Sequence, residues 1–300
     1  MTKKYKLFTH TDLDGIGCAI VAKDILGNVD VEYLDYHNVD KRITDFITNE
    51  NPSGYEAIYI TDISVNRETA ALIKKSNADW TLLDHHATAT WLNQFDWAKV
   101  VTENEYGKES GTSLLFNELG GDNILGEFVE KVRRYDTWEW HDIYSDHKAK
   151  ELNDLLFIVG RDRFVERFNR NLDLEFTEAE QLLLDLEREK INRIIDEKNK
   201  QIRTGVVKVS GVMYEMGVIF SEGYTSELGN VLAKYNPSLD LIAIINPSRS
   251  VSLRTIKDDV NVGEIAKEFG GGGHPKAAGF RLDDSIVDSF VHDVFNKERD

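Results

Sequence analysis

Three short segments in the first third of the chain collect the side chains that hold divalent cations. Asp12-Leu13-Asp14-Gly15 sets two carboxylates one residue apart in the turn expected after the first strand. Asp-x-Asp-Gly also describes many surface turns, so its chemistry depends on what else converges on it. Asp62 closes the apolar run Tyr59-Ile60-Thr61, where a carboxylate needs a partner or a metal to offset its desolvation. The bland alternative is a cap for the following helix, a task for which Ser64 competes. Asp84-His85-His86 follows Thr81-Leu82-Leu83 and offers a metal ligand, a substrate contact and an orienting carboxylate together. Asp136, beside Arg133, Arg134 and Trp138, adds a fourth acidic position. Carboxylates with imidazole favour Mn²⁺ or Mg²⁺. Two such ions, about 3.5–4 Å apart, clamp a phosphoryl group, acidify a bridging water and stabilise the leaving oxygen.

These residues need elements that bring them to one edge. Strand-like runs at Lys6–Thr9, Val29–Tyr36, Ala57–Asp62, Trp80–Asp84 and Trp97–Thr102 alternate with helical patterns at Gly17–Leu26, Lys41–Thr48, Arg67–Ser76 and Thr112–Leu119. That alternation predicts an α/β unit with a parallel sheet. The acidic clusters fall at the C-terminal ends of its strands, where open sheets of this kind bind ligands. Residues Thr177–Arg203 read as one charged helix without Gly or Pro, placed to connect two differently patterned halves. Beyond it, strands at Val206–Val209, Met213–Phe220, Leu241–Asn246 and Ser250–Ile256 mix with helices at Ser226–Tyr235, Val262–Phe269 and Ser285–Asn296, a smaller α+β domain. The expected organisation is a catalytic metal-binding domain 1–176, a linker helix 177–204 and a substrate-binding domain 205–300.

Composition narrows the partners. With 53 Asp and Glu against 36 Lys and Arg, the net charge of −17 repels a long polyanion, so a nucleic-acid substrate is expected to be short and long duplexes are not. The single Cys18, in an apolar run, excludes a disulfide framework and Cys-rich zinc patterns and suits a reducing cytoplasm. The short basic start, Met1 to Tyr5, has no apolar leader behind it, and no stretch reaches the length of a membrane span.

In order and spacing, Asp12-Leu13-Asp14-Gly15, Asp62, Asp84-His85-His86 and Asp136 resemble the four motifs of DHH phosphoesterases. Val251-Ser252-Leu253-Arg254-Thr255, followed by the glycine run from Gly270 to Gly273, then His274-Pro275-Lys276-Ala277-Ala278-Gly279-Phe280, is similar to the DHHA1 signature. The resemblance covers nearly the whole chain. It implies that Asp12, Asp14, Asp62, His85 and Asp136 bind a Mn²⁺ pair, with Asp62 bridging, while His86 meets the scissile phosphate and Asp84 orients its neighbours. Many family members carry a ligand histidine where this chain has Phe8. Here His10-Thr11-Asp12 instead looks like the B-type nano-RNase subgroup, and whether His10 touches metal or only lines the pocket stays open.

In the second domain, Gly271, Gly272 and Gly273 allow close backbone approach and an anion nest, with Arg254 and His274 as directed donors. Ser110-Gly111-Thr112-Ser113 either sets a helix N-terminus near the phosphate or simply caps a helix. Trp138 and Trp140 read as packing residues, with base stacking near Asp136 as the alternative. The expected function is hydrolysis of very short RNA or linear dinucleotides to nucleoside monophosphates. Cyclic dinucleotides and adenosine 3′,5′-bisphosphate are the enzymatic alternatives, and a nucleotide sensor the non-enzymatic one. A homodimer is left open.

Overall fold

The computed structural model describes residues 3–246 and 250–296, so the outer ends of the two expected domains lie outside the described residues. The chain divides into two compact units, 1–184 and 185–300.

In the first unit, strands β1 (Tyr5–Thr9), β2 (Val29–Tyr33), β3 (Ile58–Thr61), β4 (Trp80–Asp84) and β5 (Ala98–Val100) form a parallel sheet in the order β2-β1-β3-β4-β5. Its connections include α1 (Leu13–Leu26), α2 (Val39–Asn49) and α3 (Arg67–Lys75). Adjacent strand residues point to opposite faces. Leu7 and Leu83 therefore join one buried cluster, with Ile16, Ile20, Phe128 and Phe164, while Phe8 and Leu82 join another, with Phe46, Ile58 and Trp80. Burial on both faces explains why these strands read as continuous apolar runs. Helix α1 is buried continuously from Leu13 to Ala22, so it lacks the polar stripe of a surface helix.

Several boundaries differ from expectation. Asp12 caps α1 by accepting from the Gly15 amide at 3.1 Å, so Asp14 and Gly15 lie in the first helical turn rather than in a loop. Strand β2 stops at Tyr33, which leaves Tyr36 in the loop before α2. After the short hairpin strands β6 (Glu103–Asn104) and β7 (Gly107–Lys108) comes α4 (Gly111–Leu119). Four helices then occupy a stretch for which the sequence reading drew no element: α5 (Asn123–Asp136), α6 (Glu139–Asp142), α7 (His147–Val159) and α8 (Arg161–Arg170). Helix α5 starts on an Asp122 cap and buries Leu125, Phe128, Val129 and Val132, a helical spacing.

Helix α9 (Glu178–Gln201) contains the division between the units. The second unit holds β8 (Arg203–Val209), β9 (Val212–Phe220), α10 (Thr225–Tyr235), β10 (Leu241–Asn246), β11 (Ser250–Arg254), α11 (Val262–Lys267), β12 (Gly272–Gly273), β13 (Ala277–Arg281) and α12 (Asp284–Asn296). Its sheet runs β12-β13-β11-β10-β9-β8 and is mixed, with β9 and β10 parallel and the other pairs antiparallel. Among the described residues no helix is long and apolar enough to cross a membrane.

Candidate metal centre

The C-terminal edge of the parallel sheet gathers the acidic and histidine residues. His10, Asp12 and Asp14 follow β1, Asp62 follows β3, Asp84 ends β4 ahead of His85 and His86, and Asp136 ends α5. Two buried threonines brace the first turn: Thr61 Oγ1 donates to Thr9 Oγ1 at 2.9 Å, and Thr9 Oγ1 donates to the Gly15 carbonyl at 3.0 Å. Asp62 adopts φ 56°, a left-handed conformation in which aspartate is one of the better-tolerated non-glycine residues. Its amide donates to the Leu83 carbonyl at 3.0 Å. Neither Asp62 nor Ser64 caps α3; Asn66 does.

Asp14 is immobilised by the start of α4. Its carboxylate accepts from the Gly111 amide at 2.6 Å and the Thr112 amide at 2.9 Å, and Thr112 Oγ1 donates to its carbonyl at 2.6 Å. Of the two roles read for Ser110–Ser113, capping is the one observed, since Ser110 caps α4. The leading amides are already given to a carboxylate, so they are not left for a phosphate.

Around this frame the side chains form two groups that meet at Asp62 and His85. His10 Nδ1 lies 2.8 Å from Asp12 Oδ2 and 3.8 Å from Asp62 Oδ2. His85 Nε2 lies 3.3 Å from Asp62 Oδ1, 3.4 Å from Asp136 Oδ2 and 3.8 Å from Asp14 Oδ2. His10, Asp12 and Asp62 form one potential ligand set, and Asp14, His85 and Asp136 another; Asp62, Asp84, His85 and His86 also come together. His10 thus belongs to one of these potential ligand sets. Asp84 is fully buried and acts on its neighbours: its Oδ1 accepts from the His85 amide at 2.7 Å and the His86 amide at 3.2 Å, and contacts His86 Nδ1 at 2.7 Å.

The donor set calls for cations. Among the described residues no lysine or arginine pairs with Asp12, Asp14, Asp62, Asp84 or Asp136. Arg133 and Arg134, adjacent in sequence to Asp136, bind Glu130, Glu139 and Asp146 instead. Asp62 Oδ2 and Asp84 Oδ2 are buried without a hydrogen-bond partner. Burial, then repulsion from Asp14 and Asp12, pushes Asp62 and Asp136 well above the usual carboxylate range. Burial also pushes Asp12 up, but the His10 hydrogen bond and charge together with the Gly15 amide outweigh it, and its pKa falls. Hydrogen bonds to Asp12 and Asp84 raise His10 and His86 respectively against their burial. A cluster this acidic and this poor in countercharge fits divalent cations.

Sequence reasoning missed Tyr36, and it read Gly111 and Thr112 only as part of a phosphate-facing helix start or a cap, not as the residues that hold Asp14. A Cβ at Gly111 would sit 2.5 Å from Asp62 Cβ and 3.0 Å from Asp14 Oδ2. Gly111→Ala should therefore displace both carboxylates, destabilise the fold by about 1–3 kcal/mol and weaken divalent-cation binding. Calorimetric titration checks this, and wild-type affinity would refute it. Of the aromatics near Asp136, Trp140 is buried as expected, but Trp138 is 38% exposed.

In the second unit, Arg254 on β11 pairs in register with Ala277, three residues after His274. Its guanidinium lies 3.5 Å from Ser226 Oγ in the first turn of α10, with no carboxylate partner among the described residues, and burial lowers its pKa. The His274 side chain is exposed. The glycine run is less open than the anticipated nest, because Gly272 and Gly273 form β12 and the Gly271 amide donates to the Ala266 carbonyl at 2.9 Å. These glycines permit backbone crowding: a Cβ at Gly271 would lie 2.1 Å from the Gly279 carbonyl oxygen.

The chain and its fold match known proteins. Residues 185–297 match the DHHA1 domain model. Oligoribonuclease NrnB of Bacillus subtilis is 39% identical over 97% of this chain and 76% of its own length. A 3′,5′-cyclic-nucleotide phosphodiesterase of Helicobacter pylori is 24% identical over 94% of both chains. The structure of PggH, a pGpG-specific phosphodiesterase from Vibrio cholerae, aligns over 98% of both chains with a TM-score of 0.55 at 15% identity and shares the fold. The chain is thus a hydrolase acting on phosphodiester bonds. It belongs to the DHH/DHHA1 family of phosphoesterases.

Proposed function

We propose that this protein hydrolyses short oligoribonucleotides or linear dinucleotides to nucleoside monophosphates, using two Mn²⁺ ions, with Mg²⁺ as the alternative. The observation that carries this reading is the convergence of carboxylate and imidazole donors at Asp62 and His85 with, among the described residues, no lysine or arginine paired to them. In this reading Asp12, Asp14, Asp62, His85 and Asp136 hold the pair, Asp62 is shared, and His10 joins the Asp12 side. When bound, such a pair supplies Lewis-acid stabilisation of the phosphoryl oxygens and an acidified water. Asp84 holds His86 by Nδ1, which directs Nε2 to a phosphate oxygen. The 39% identity to an oligoribonuclease supports the short-RNA substrate, and the charge of −17 disfavours long polyanions.

We assign catalysis to residues 1–176, connection to 177–204 and substrate binding to 205–300, where Arg254 and His274, the latter directly after the Gly271–Gly273 run, hold a part of the substrate away from the scissile bond. Charge-assisted hydrogen bonds contribute roughly 1.5–3 kcal/mol. Arg254→Ala should accordingly cost about one to two decades in kcat/KM on a dinucleotide and leave a small activated phosphodiester nearly unaffected. Equal losses on both substrates would remove Arg254 from substrate binding.

The reading as a whole is tested with labelled RNA of graded length. The expected result is fast mononucleotide release from dimers, slowing as length grows, abolished by chelation and restored by Mn²⁺. No release from any short RNA would sink it. The name of the Helicobacter relative favours one second reading, cyclic phosphodiester cleavage, and faster turnover of a cyclic nucleotide than of every linear dimer would establish that instead.

A further inference from the structure

Tyr36 has no place in the sequence motifs, yet the loop between β2 and α2 carries it to the acidic site. Leu34, buried, anchors that loop by donating its amide to the Thr9 carbonyl at 2.7 Å, and Asp35 and Asn38 close it with reciprocal bonds of 3.0 Å. The Tyr36 side chain is left 51% exposed, so core packing does not account for it. Its ring centroid lies 5.1 Å from His10 and 6.2 Å from His86, edge-on to the latter at 90°. Its hydroxyl reaches His86 Nε2 at 3.4 Å.

His86 is therefore held at both ring nitrogens, by Asp84 on Nδ1 at 2.7 Å and by Tyr36 on Nε2. The first contact alone fixes one corner of a side chain that is 40% exposed, and the outer torsion of histidine is broad. A phenol both donates and accepts, so it satisfies Nε2 whichever proton state the imidazole adopts. At 3.4 Å the contact is long for a hydrogen bond and cheap to exchange for a phosphate oxygen.

We propose that Tyr36 is a positioning residue for His86, completing an Asp84–His86–Tyr36 line that presents Nε2 to the phosphate. The proposal rests on the reading of His86 as the phosphate contact.

The test compares Tyr36→Phe and Tyr36→Ala in the full chain loaded with Mn²⁺, and records His86 by imidazole ¹⁵N resonances in the Mg²⁺-loaded form. Removing only the hydroxyl should lower kcat/KM by up to roughly tenfold, the size of one ordinary hydrogen bond, with metal affinity nearly unchanged. Combined with His86→Ala, it should cost nothing further, because both changes break the same line. The ¹⁵N shifts of His86 should move in Tyr36→Phe. This readout needs no turnover, so it decides the contact even if the substrate reading fails. Three results would overturn the proposal: additive losses in the double variant, unmoved His86 resonances, or a wild-type Tyr36→Phe beside a Tyr36→Ala that raises KM, which would make the ring a stacking surface.

Discussion

Asp62→Asn is expected to abolish turnover while leaving the protein folded. The side chain keeps its shape, but a neutral amide cannot serve two cations as a carboxylate does, and metal ions supply several kcal/mol of transition-state stabilisation. Four such kcal/mol correspond to roughly a thousandfold in rate. Stability should move in opposite directions with and without metal. In the chelated protein Asp62 is buried beside Asp12, Asp14 and Asp136 without a lysine or arginine partner among the described residues, and its pKa is raised first by burial and then by those charges. A carboxyl whose folded pKa lies above its unfolded value binds more protons when folded. Its ionisation therefore removes stability as pH rises from the ordinary carboxylate range through the folded pKa. The asparagine variant escapes that loss, so its melting temperature under chelation should exceed the wild type's by a margin that grows with pH. Adding Mn²⁺ should reverse the order, since cations stabilise the protein that binds them more tightly. Near-normal Mn²⁺-dependent activity, or no crossover in melting temperature, would remove Asp62 from its shared position.

The residues that make this test available were legible as residue types, while their setting was not. An aspartate that ends an apolar strand has few ways to offset its desolvation, so Asp62 and Asp84 stood out before any contact was known. The parallel sheet was equally legible, because strands buried on both faces announce themselves as short apolar runs between helical patterns. What stayed hidden depends on contacts distant in sequence. Nothing near Gly111 says that its missing side chain makes room for Asp62 and Asp14, nearly fifty and a hundred positions earlier. Helix α1 was expected at Gly17 because the apolar run begins there, but Asp12 is the residue that starts it. The phosphate contact considered for the α4 N-terminus assumed its amides were unspent, and only the fold places Asp14 on them. Tyr36 belonged to a strand in the sequence reading. A strand that ends three residues sooner, at Tyr33, turns it into part of the rim.

His85 and His86 provide the sharpest separation of roles, since two identical side chains one residue apart should fail in different ways. His85 Nε2 faces Asp14, Asp62 and Asp136 within 3.8 Å and is the less exposed of the two rings. His86 instead spans Asp84 and Tyr36, although both rings come close to Asp62 and stand 4.3 Å apart. His85→Ala should thus weaken divalent-cation affinity by more than the roughly 10–100-fold that loss of a merely supporting partner costs, and high Mn²⁺ should recover part of the rate. His86→Ala should keep cation affinity within a few-fold and lower kcat by about a hundred- to a thousandfold, the scale on which a donor to a developing oxyanion acts, with no recovery at any Mn²⁺ concentration. Calorimetric titration beside Mn²⁺-dependent kinetics separates the two. If His86→Ala loses the metal and His85→Ala keeps it, the assignments exchange. If both lose it equally, His86 is a ligand, and the phosphate contact must come from another donor at the rim.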